Sequence, residues 1–447
     1  MSNDATTALP DEPEAPAPIR SSERFQSMDT LRGVAVLGIL VMNIYAFAMP
    51  FAAYSNPLAM GGTDPLNMGT WFVTHILFDQ KFLSIFAMLY GAGMVMMTDR
   101  AEAKGAKITR VFYRRSFWLL VIGILHGYLI WVGDILFAYA AIGMLMFLLR
   151  KRSPTTLIVI GVLMLPMANV LGALGGAYTI ELRDQAIELE ARQAAGDELT
   201  DSELAKIKEW NLSAAFMAPD AEDIQRDIDA YRGTYADALE YRIPVIAMLQ
   251  TQGTFFYLLW RAGGLMLIGM ALMKLGVLKA QRSSRFYRNM MLLGYGIGLP
   301  IMAFSAIDLY NHDFDGLYAF KTGMISNYWG SIFVALGHVG LVMSLVRAGA
   351  LVALQKRFAA VGRMAFTNYL MHSLVMTTIF YGHGFNLYTE VPRFYQMGFV
   401  VALIGLQLLY SPWWLQRFRF GPAEWLWRSM TYWRLQPMRQ PAGQGAG

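Results

Sequence analysis

The segment LLVIGILHGYLIWVGDILFAYAAIGMLMFLL, residues 119–149, decides the fold class. Apart from two tyrosines, its only ionisable side chains are His126 and Asp134. A helix needs roughly 20 apolar residues to cross the hydrocarbon core of a bilayer. This run therefore reads as two short spans joined by the tight turn Gly133-Asp134. The chain has 447 residues, 55% hydrophobic and 15% charged, with a mean hydropathy of +0.37. Soluble domains carry about a quarter charged residues. The sequence thus predicts an all-α, polytopic transmembrane bundle of about ten helices, near 31–53, 78–98, 115–131, 135–149, 155–177, 256–278, 289–309, 327–346, 364–382 and 395–414.

The net charge of +5 and pI near 9.2 do not point to nucleic acid. The basic residues sit in short clusters between apolar runs, where they set topology. Arg100 to Arg115, Arg150 to Arg152, Lys279 to Arg288, Arg347 to Arg357 and Arg417 to Arg434 fall on one side if the amino terminus is cytoplasmic. Both termini are then expected in the cytoplasm. The absence of cysteine excludes disulfides and thiol chemistry.

Residues 1–24 are rich in Pro, Ala and acids, and are expected to be a disordered tail. They are too acidic for a signal-peptide start, so the first span is expected to be retained. Residues 25–178 hold the first five spans, 243–435 the other five with a tail, and 436–447 a second disordered tail. Between them, 179–242 holds half of the chain's acidic residues and has helix-forming composition. It is expected to form a helical periplasmic insertion capping the bundle.

Four stretches place polar side chains at membrane depth. In SMDTLRGVAVLGILVMNIYAF, residues 27–47, Arg32 and Asn43 are eleven residues apart. That is three helical turns plus about 20°, so they share a face about 16 Å apart along the axis, with Asp29 near the same stripe. Asp29 also suits a helix cap and Arg32 an interfacial anchor. Asp79 and Lys81 stand near the outer end of the second span, where ionisable groups pair or line a wet cavity. His126 lies about one turn below the Gly133-Asp134 hairpin, so it can meet Asp134 as a carboxylate-oriented general base. Asn368 and His372 are four apart and share a face of the ninth span, with Arg363 at its cytoplasmic entry. His338 is placed to join His372. No span carries a His-x-x-x-His or Glu-x-x-His pair, so no metal site is expected.

The motifs MDTLRGVAVLGILVMN, KFLSIFAMLYGAG, ILHGYLIWVGDILFAYA, GRMAFTNYLMHS and GPAEWLWRSMTYWR, in that order, resemble the YeiB family of bacterial inner-membrane proteins. The resemblance runs from about residue 25 to residue 435, and it implies an inner-membrane location. That family holds a domain of unknown function and is similar to a wider superfamily of membrane acyltransferases. The superfamily includes sugar O-acetylases and the heparan glucosaminide N-acetyltransferase. The O-acetylases carry a histidine where this chain has Asn43; the heparan enzyme has asparagine there. An amide does not accept a proton at neutral pH, so chemistry falls to His126 or His372. The resemblance thus implies an acyl-CoA donor met by Arg32 and nearby cations, a base at His126 oriented by Asp134, and an envelope acceptor. Asn43, Asn368 or Lys81 would stabilise the oxyanion. The partners implied are the bilayer, the donor and the acceptor, with room for a homo-oligomer. The rival expectation is a carrier of a small metabolite, against which stands the lack of an evident inverted repeat or matched broken spans.

Overall fold

The computed structural model describes residues 25–60 and 62–440. The tail 1–24, and residues 441–447 of the second tail, lie outside the described residues. In chain order the α-helices are α1 Gln26–Ala48, α2 Pro65–Leu77, α3 Lys81–Ala103, α4 Thr109–Leu129, α5 Leu136–Met146 and α6 Pro154–Ala194. There follow α7 Asp201–Met217, α8 Ala221–Arg232, α9 Tyr235–Met248, α10 Leu259–Lys274, α11 Ser284–Asn311 and the single turn α12 Gly316–Tyr318. Last come α13 Met324–Arg347, α14 Val352–Arg363, α15 Ala365–Phe380, α16 Arg393–Arg417 and α17 Pro422–Tyr432. Among the described residues there is no strand; one isolated bridge joins Phe418 to Arg439, so residues 436–440 lie back against the end of α16.

Seven helical stretches are long and apolar enough to cross a membrane, and Leu136–Leu149 is a shorter apolar helix. With α4 and α15 these make up the ten elements that the apolar runs outline. Three features differ from the sequence expectation. α2 is an added helix, started by Asp64, whose side chain accepts from the Leu66 and Asn67 N–H groups beside Pro65. The second span is therefore broken, with Phe78–Gln80 between α2 and α3 and Gln80 at φ 61°. The break lies deep in the bundle, because Phe82 packs against Gly38 in the middle of α1 and His338, midway along α13, bonds the Leu77 carbonyl at 3.0 Å. Second, α6 runs on for 41 residues, roughly 60 Å, about twice the hydrocarbon thickness. Third, a π-helical stretch, Leu249–Leu258, joins α9 to α10, so that helix enters the bundle with a widened coil.

α1 is the central post: 78% of its apolar window is buried, against 22% for α6 and 28% each for α11 and α16. The latter three present outward apolar faces such as Leu163, Leu174, Leu293, Phe304 and Val401, as helices facing a bilayer do. α1 crosses α14 at backbone contact. A Cβ at Gly33 would collide with the Phe358 carbonyl, and one at Gly362 with the Asp29 carbonyl. α3 meets α10 in the same way, through Gly91 against Met266 and Gly269 against Met88. Small residues let helices approach in lipid, where no hydrophobic force drives them together. The basic loops gather at one end of the bundle: Lys151 pairs with Glu102 at 2.5 Å, Lys274 donates to Arg152 O at 2.8 Å, and Ser27 to Leu278 O at 2.9 Å.

The acidic segment sits at the opposite end. Three capping boxes start its helices: Thr200 with Glu203, Asp220 with Asp223, and Thr234 with Asp237. It docks by its inner face. Tyr231 packs on Tyr381 and Tyr388, and Arg232 pairs with Glu390. Arg242 donates to the Tyr128 and Ile130 carbonyls at 3.1 and 2.8 Å, closing the end of α4. Asp227 on α8 is buried and accepts from the Tyr388 hydroxyl at 2.5 Å. Burial holds its carboxyl up at about 6, with the Tyr388 hydroxyl pulling the other way.

Two outcomes follow from these contacts. Gly33→Val should destabilise the protein by about 2–3 kcal/mol or more through overpacking, whereas Gly93→Ala, which faces open space, should leave thermal unfolding in detergent unchanged. The folded chain takes up the Asp227 proton at higher pH than the unfolded chain, whose carboxylate titrates near about 4. Stability should therefore rise as pH falls from about 6 toward about 4, by roughly 3 kcal/mol at most. Thermal unfolding across that window should show the trend, and Asp227→Asn should remove its share.

Candidate functional site

The crossing at Gly33 and Gly362 has a consequence for charge. Each glycine is next to an arginine, Arg32 and Arg363, so bringing the backbones together brings both guanidinium groups to one opening. That opening leads into a cavity of about 210 Å³ between α1, α3, α4, α5, α15 and α17. Arg32, Arg115, Arg363 and Arg428 line it together with Asp29 and Glu424, and Arg32 bonds Asp29 at 2.6 Å. Its walls are apolar, with Phe86, Leu89, Met94 and Met97 from α3 and Leu119 from α4. The tail helix α17 closes one side. Glu424 accepts from the Phe366 and Thr367 N–H groups at 2.8 and 3.2 Å, capping α15, while the Arg115 guanidinium lies 3.8 Å from the Trp427 ring centroid.

Ile135, Leu136 and Tyr369 also line the cavity. Behind them lies a closed polar group. His126 Nδ1 is 2.9 Å from Asp134 Oδ1, and His126 Nε2 is 2.8 Å from Ser373 Oγ. The second Asp134 oxygen accepts the Phe137 N–H at 2.9 Å, in the first turn of α5, which fixes the carboxylate. A carboxylate on Nδ1 places the proton there, so Nε2 of the neutral ring accepts from the serine hydroxyl. Tyr369 covers this group: its ring centroid is 5.4 Å from that of His126, and its hydroxyl donates to Gly133 O at 3.2 Å. His126, Asp134 and Ser373 do not themselves line the cavity.

The other sequence-selected residues fall elsewhere. Asn368 and His372 share a face, and that face turns to α16 and the end of α14. Asn368 donates to Val361 O at 3.1 Å and accepts from the Tyr410 hydroxyl at 2.5 Å. His372 Nε2 bonds Gln407 Oε1 at 2.9 Å, and Gln407 donates to Asn368 O. Both ends of the Asn368 amide are thus engaged by protein groups. The face one step round α15 carries Tyr369 and Ser373, also four apart, and it is that pair that meets His126. His338 does not reach His372; it bridges the Tyr295 hydroxyl at 2.7 Å and Leu77 O. Asn43, although on the Arg32 stripe, is half-buried with no hydrogen bond among the described residues, and does not line the cavity.

Asp79 and Lys81 lie at the α2–α3 break, away from both groups. Asp79 accepts from Asn327 Nδ2 at 2.6 Å and lies 3.5 Å from His75 Nδ1. Lys81, fully buried, donates to His75 O at 2.6 Å. Arg261 is close by, donating to Tyr328 O at 3.0 Å and to Ser84 and Ser331 at 3.1 and 2.8 Å. Among the described residues no three His, Asp or Glu side chains gather as a metal site would require.

A polytopic all-α membrane bundle, with an arginine-mouthed cavity running toward a buried His–Asp–Ser group, is the class that this architecture defines. The chain is 32% identical to the uncharacterized protein YeiB of Escherichia coli over 92% of this chain and 96% of that protein. It is 29% identical to the uncharacterized protein YxaH of Bacillus subtilis over 94% and 97%. The profile of a family described as a protein of unknown function (DUF418) matches residues 272–434. No solved structure matches. The chain belongs to the YeiB family.

Asp134 has two partners, so its substitutions should separate. Asp134→Ala strands both His126 Nδ1 and the Phe137 N–H in a dry site, and should cost about 2–4 kcal/mol. Asp134→Asn keeps an oxygen for Phe137 and should cost less than half as much. Thermal unfolding of the two variants in the same detergent checks the order.

Proposed function

We propose that the protein is a membrane acyltransferase that moves an acyl group from cytosolic acyl-CoA to a hydroxyl or amine acceptor on the envelope side. One observation carries this reading: the cavity that opens among four arginines is also lined by Tyr369, the ring that lies against His126. Phosphates seek such an opening, because guanidinium groups bind them through paired, charge-assisted hydrogen bonds. The nucleotide end of the donor would stay at Arg32 and Arg363, and the acyl arm would follow the apolar walls inward. When the Tyr369 ring turns away, the thioester reaches His126. Asp134 holds Nδ1 of the imidazole, so that Nε2 is the nitrogen that takes a proton, and it stabilises the charged ring that results. The loops rich in Lys and Arg favour a cytoplasmic side for the cavity mouth and both chain ends, with the acidic helices on the outer face. Relatives in two bacteria support a bacterial plasma membrane as the location.

The broken α2–α3 element supports a second reading. Discontinuous helices with buried charge at mid-depth are where carriers bind their cargo. Asp79, Lys81 and Arg261 would then grip a small polar metabolite.

The two readings separate in one purified preparation. Acetyl-CoA or CoA should raise the unfolding temperature. Arg32→Ala and Arg363→Ala should each weaken that binding roughly tenfold or more, since a charge-assisted bond contributes about 1.5–3 kcal/mol. His126→Ala should retain binding while acyl transfer drops by about 10²–10⁴-fold. Absence of CoA protection, together with solute flux in vesicles lost in Lys81→Met, would replace the enzyme by the carrier.

A further inference from the structure

One buried hydroxyl beside His126 has no part in the direct transfer just described. Ser373 Oγ is fully buried and lies 2.8 Å from His126 Nε2. Its placement is unusual for a serine in an apolar helix. Such hydroxyls normally return a bond to the carbonyl one turn back, as Thr377 does to Ser373 O at 2.7 Å and Thr98 to Met94 O at 2.9 Å. Ser373 gives no such bond and spends its hydroxyl on the imidazole instead. The other ring nitrogen is held by Asp134 at 2.9 Å, and Asp134 by the Phe137 N–H. Nucleophile, base and orienting carboxylate thus come from α15, α4 and the α4–α5 turn, in the order that activates a hydroxyl. Tyr369 precedes Ser373 by one helical turn, about 6 Å, and it lines the cavity. Turning that one ring therefore connects the cavity to Oγ as well as to the imidazole.

We propose that Ser373 is the nucleophile, and that the acyl group passes through an ester on its Oγ. This rests on the acyl-transfer reading and specifies its route. In the first half, Oγ adds to the thioester carbonyl carbon while its proton passes to His126 Nε2. The tetrahedral adduct collapses, the C–S bond breaks, and the leaving sulfur takes that proton and departs as the thiol. In the second half, His126 takes the proton of the acceptor hydroxyl as its oxygen attacks the ester. The C–Oγ bond then breaks, and Oγ recovers the proton.

The test uses the purified full-length protein and a fluorophosphonate, which bonds covalently to an activated serine with loss of fluoride. Peptide mass spectrometry should place the adduct on Ser373. His126→Ala should slow its formation roughly 100-fold or more, and Ser373→Ala should abolish it in protein that remains folded, with an unfolding temperature lowered by the lost bond to His126. If Ser373→Ala unfolds, Ser373→Cys provides the second arm: an acetyl group delivered from acetyl-CoA should then be found on the new thiol. A Ser373 adduct that forms equally fast without His126 would overturn the proposal. So would His126-dependent acyl transfer that persists at full rate in Ser373→Ala, and that result would leave the acyltransferase reading standing. A Ser373 adduct accompanied by no binding of CoA would instead retain the nucleophile and discard the donor.

Discussion

Hydrocarbon offers no hydrogen bonds, so a polar side chain inside this bundle is stabilised mainly by other protein groups. That constraint sorts the interior. The Asn368–His372–Gln407 chain ties α15 to α16, with Nδ1 of His372 left without a partner. Asp79, Lys81, Asn327 and Arg261 form a second set of buried bonds around the broken span, in which Asn327 Oδ1 has no partner. In the His126 group, by contrast, a hydroxyl faces a ring nitrogen whose opposite side is held by a carboxylate. The first two arrangements hold helices together. The third sets a hydroxyl against a carboxylate-held imidazole, and it is the one that lies behind the wall of a cavity.

The same constraint explains why the mouth of that cavity is where it is. Guanidinium groups cannot sit against lipid, but the backbone contact at Gly33 and Gly362 forces Arg32 and Arg363 together at the basic end. α17 completes the arrangement. Its Glu424 caps the N-terminus of α15, the helix that carries both Tyr369 and Ser373. A helix that looks like a peripheral tail is thereby coupled to the position of the buried hydroxyl.

Much of this was legible in the sequence because it depends on local pattern. Ten apolar runs, the alternation of basic loops, the Gly133-Asp134 hairpin and its reach to His126 are all short-range features. What escaped depends on helix rotation and on long-range packing. On α15 two polar pairs at the same spacing, Asn368–His372 and Tyr369–Ser373, differ by about 100°, and no single-helix argument says which of them faces α4. Asn43 follows Arg32 on one stripe, yet the tertiary environment changes along α1, so the stripe does not stay in one chamber. The break at Phe78–Gln80 is masked because α2 and α3 are both apolar, and the signal for it was Asp64-Pro65, a helix start within what reads as a loop.

The acidic insertion gains a mechanical role from these contacts. α4 ends at Leu129, one turn beyond His126, and its final carbonyls would otherwise be unsatisfied. Arg242 of α9 supplies them with Nε and Nη1, while Trp131, just past that end, stacks on Phe47 of α1 and donates to Ala46 O. The depth and rotation of His126 are therefore set from both sides: by Asp134 across the hairpin, and by a side chain from the helices that cap the bundle. The charged segment is thereby part of what holds the His126 group in place, even though none of its residues lines the cavity.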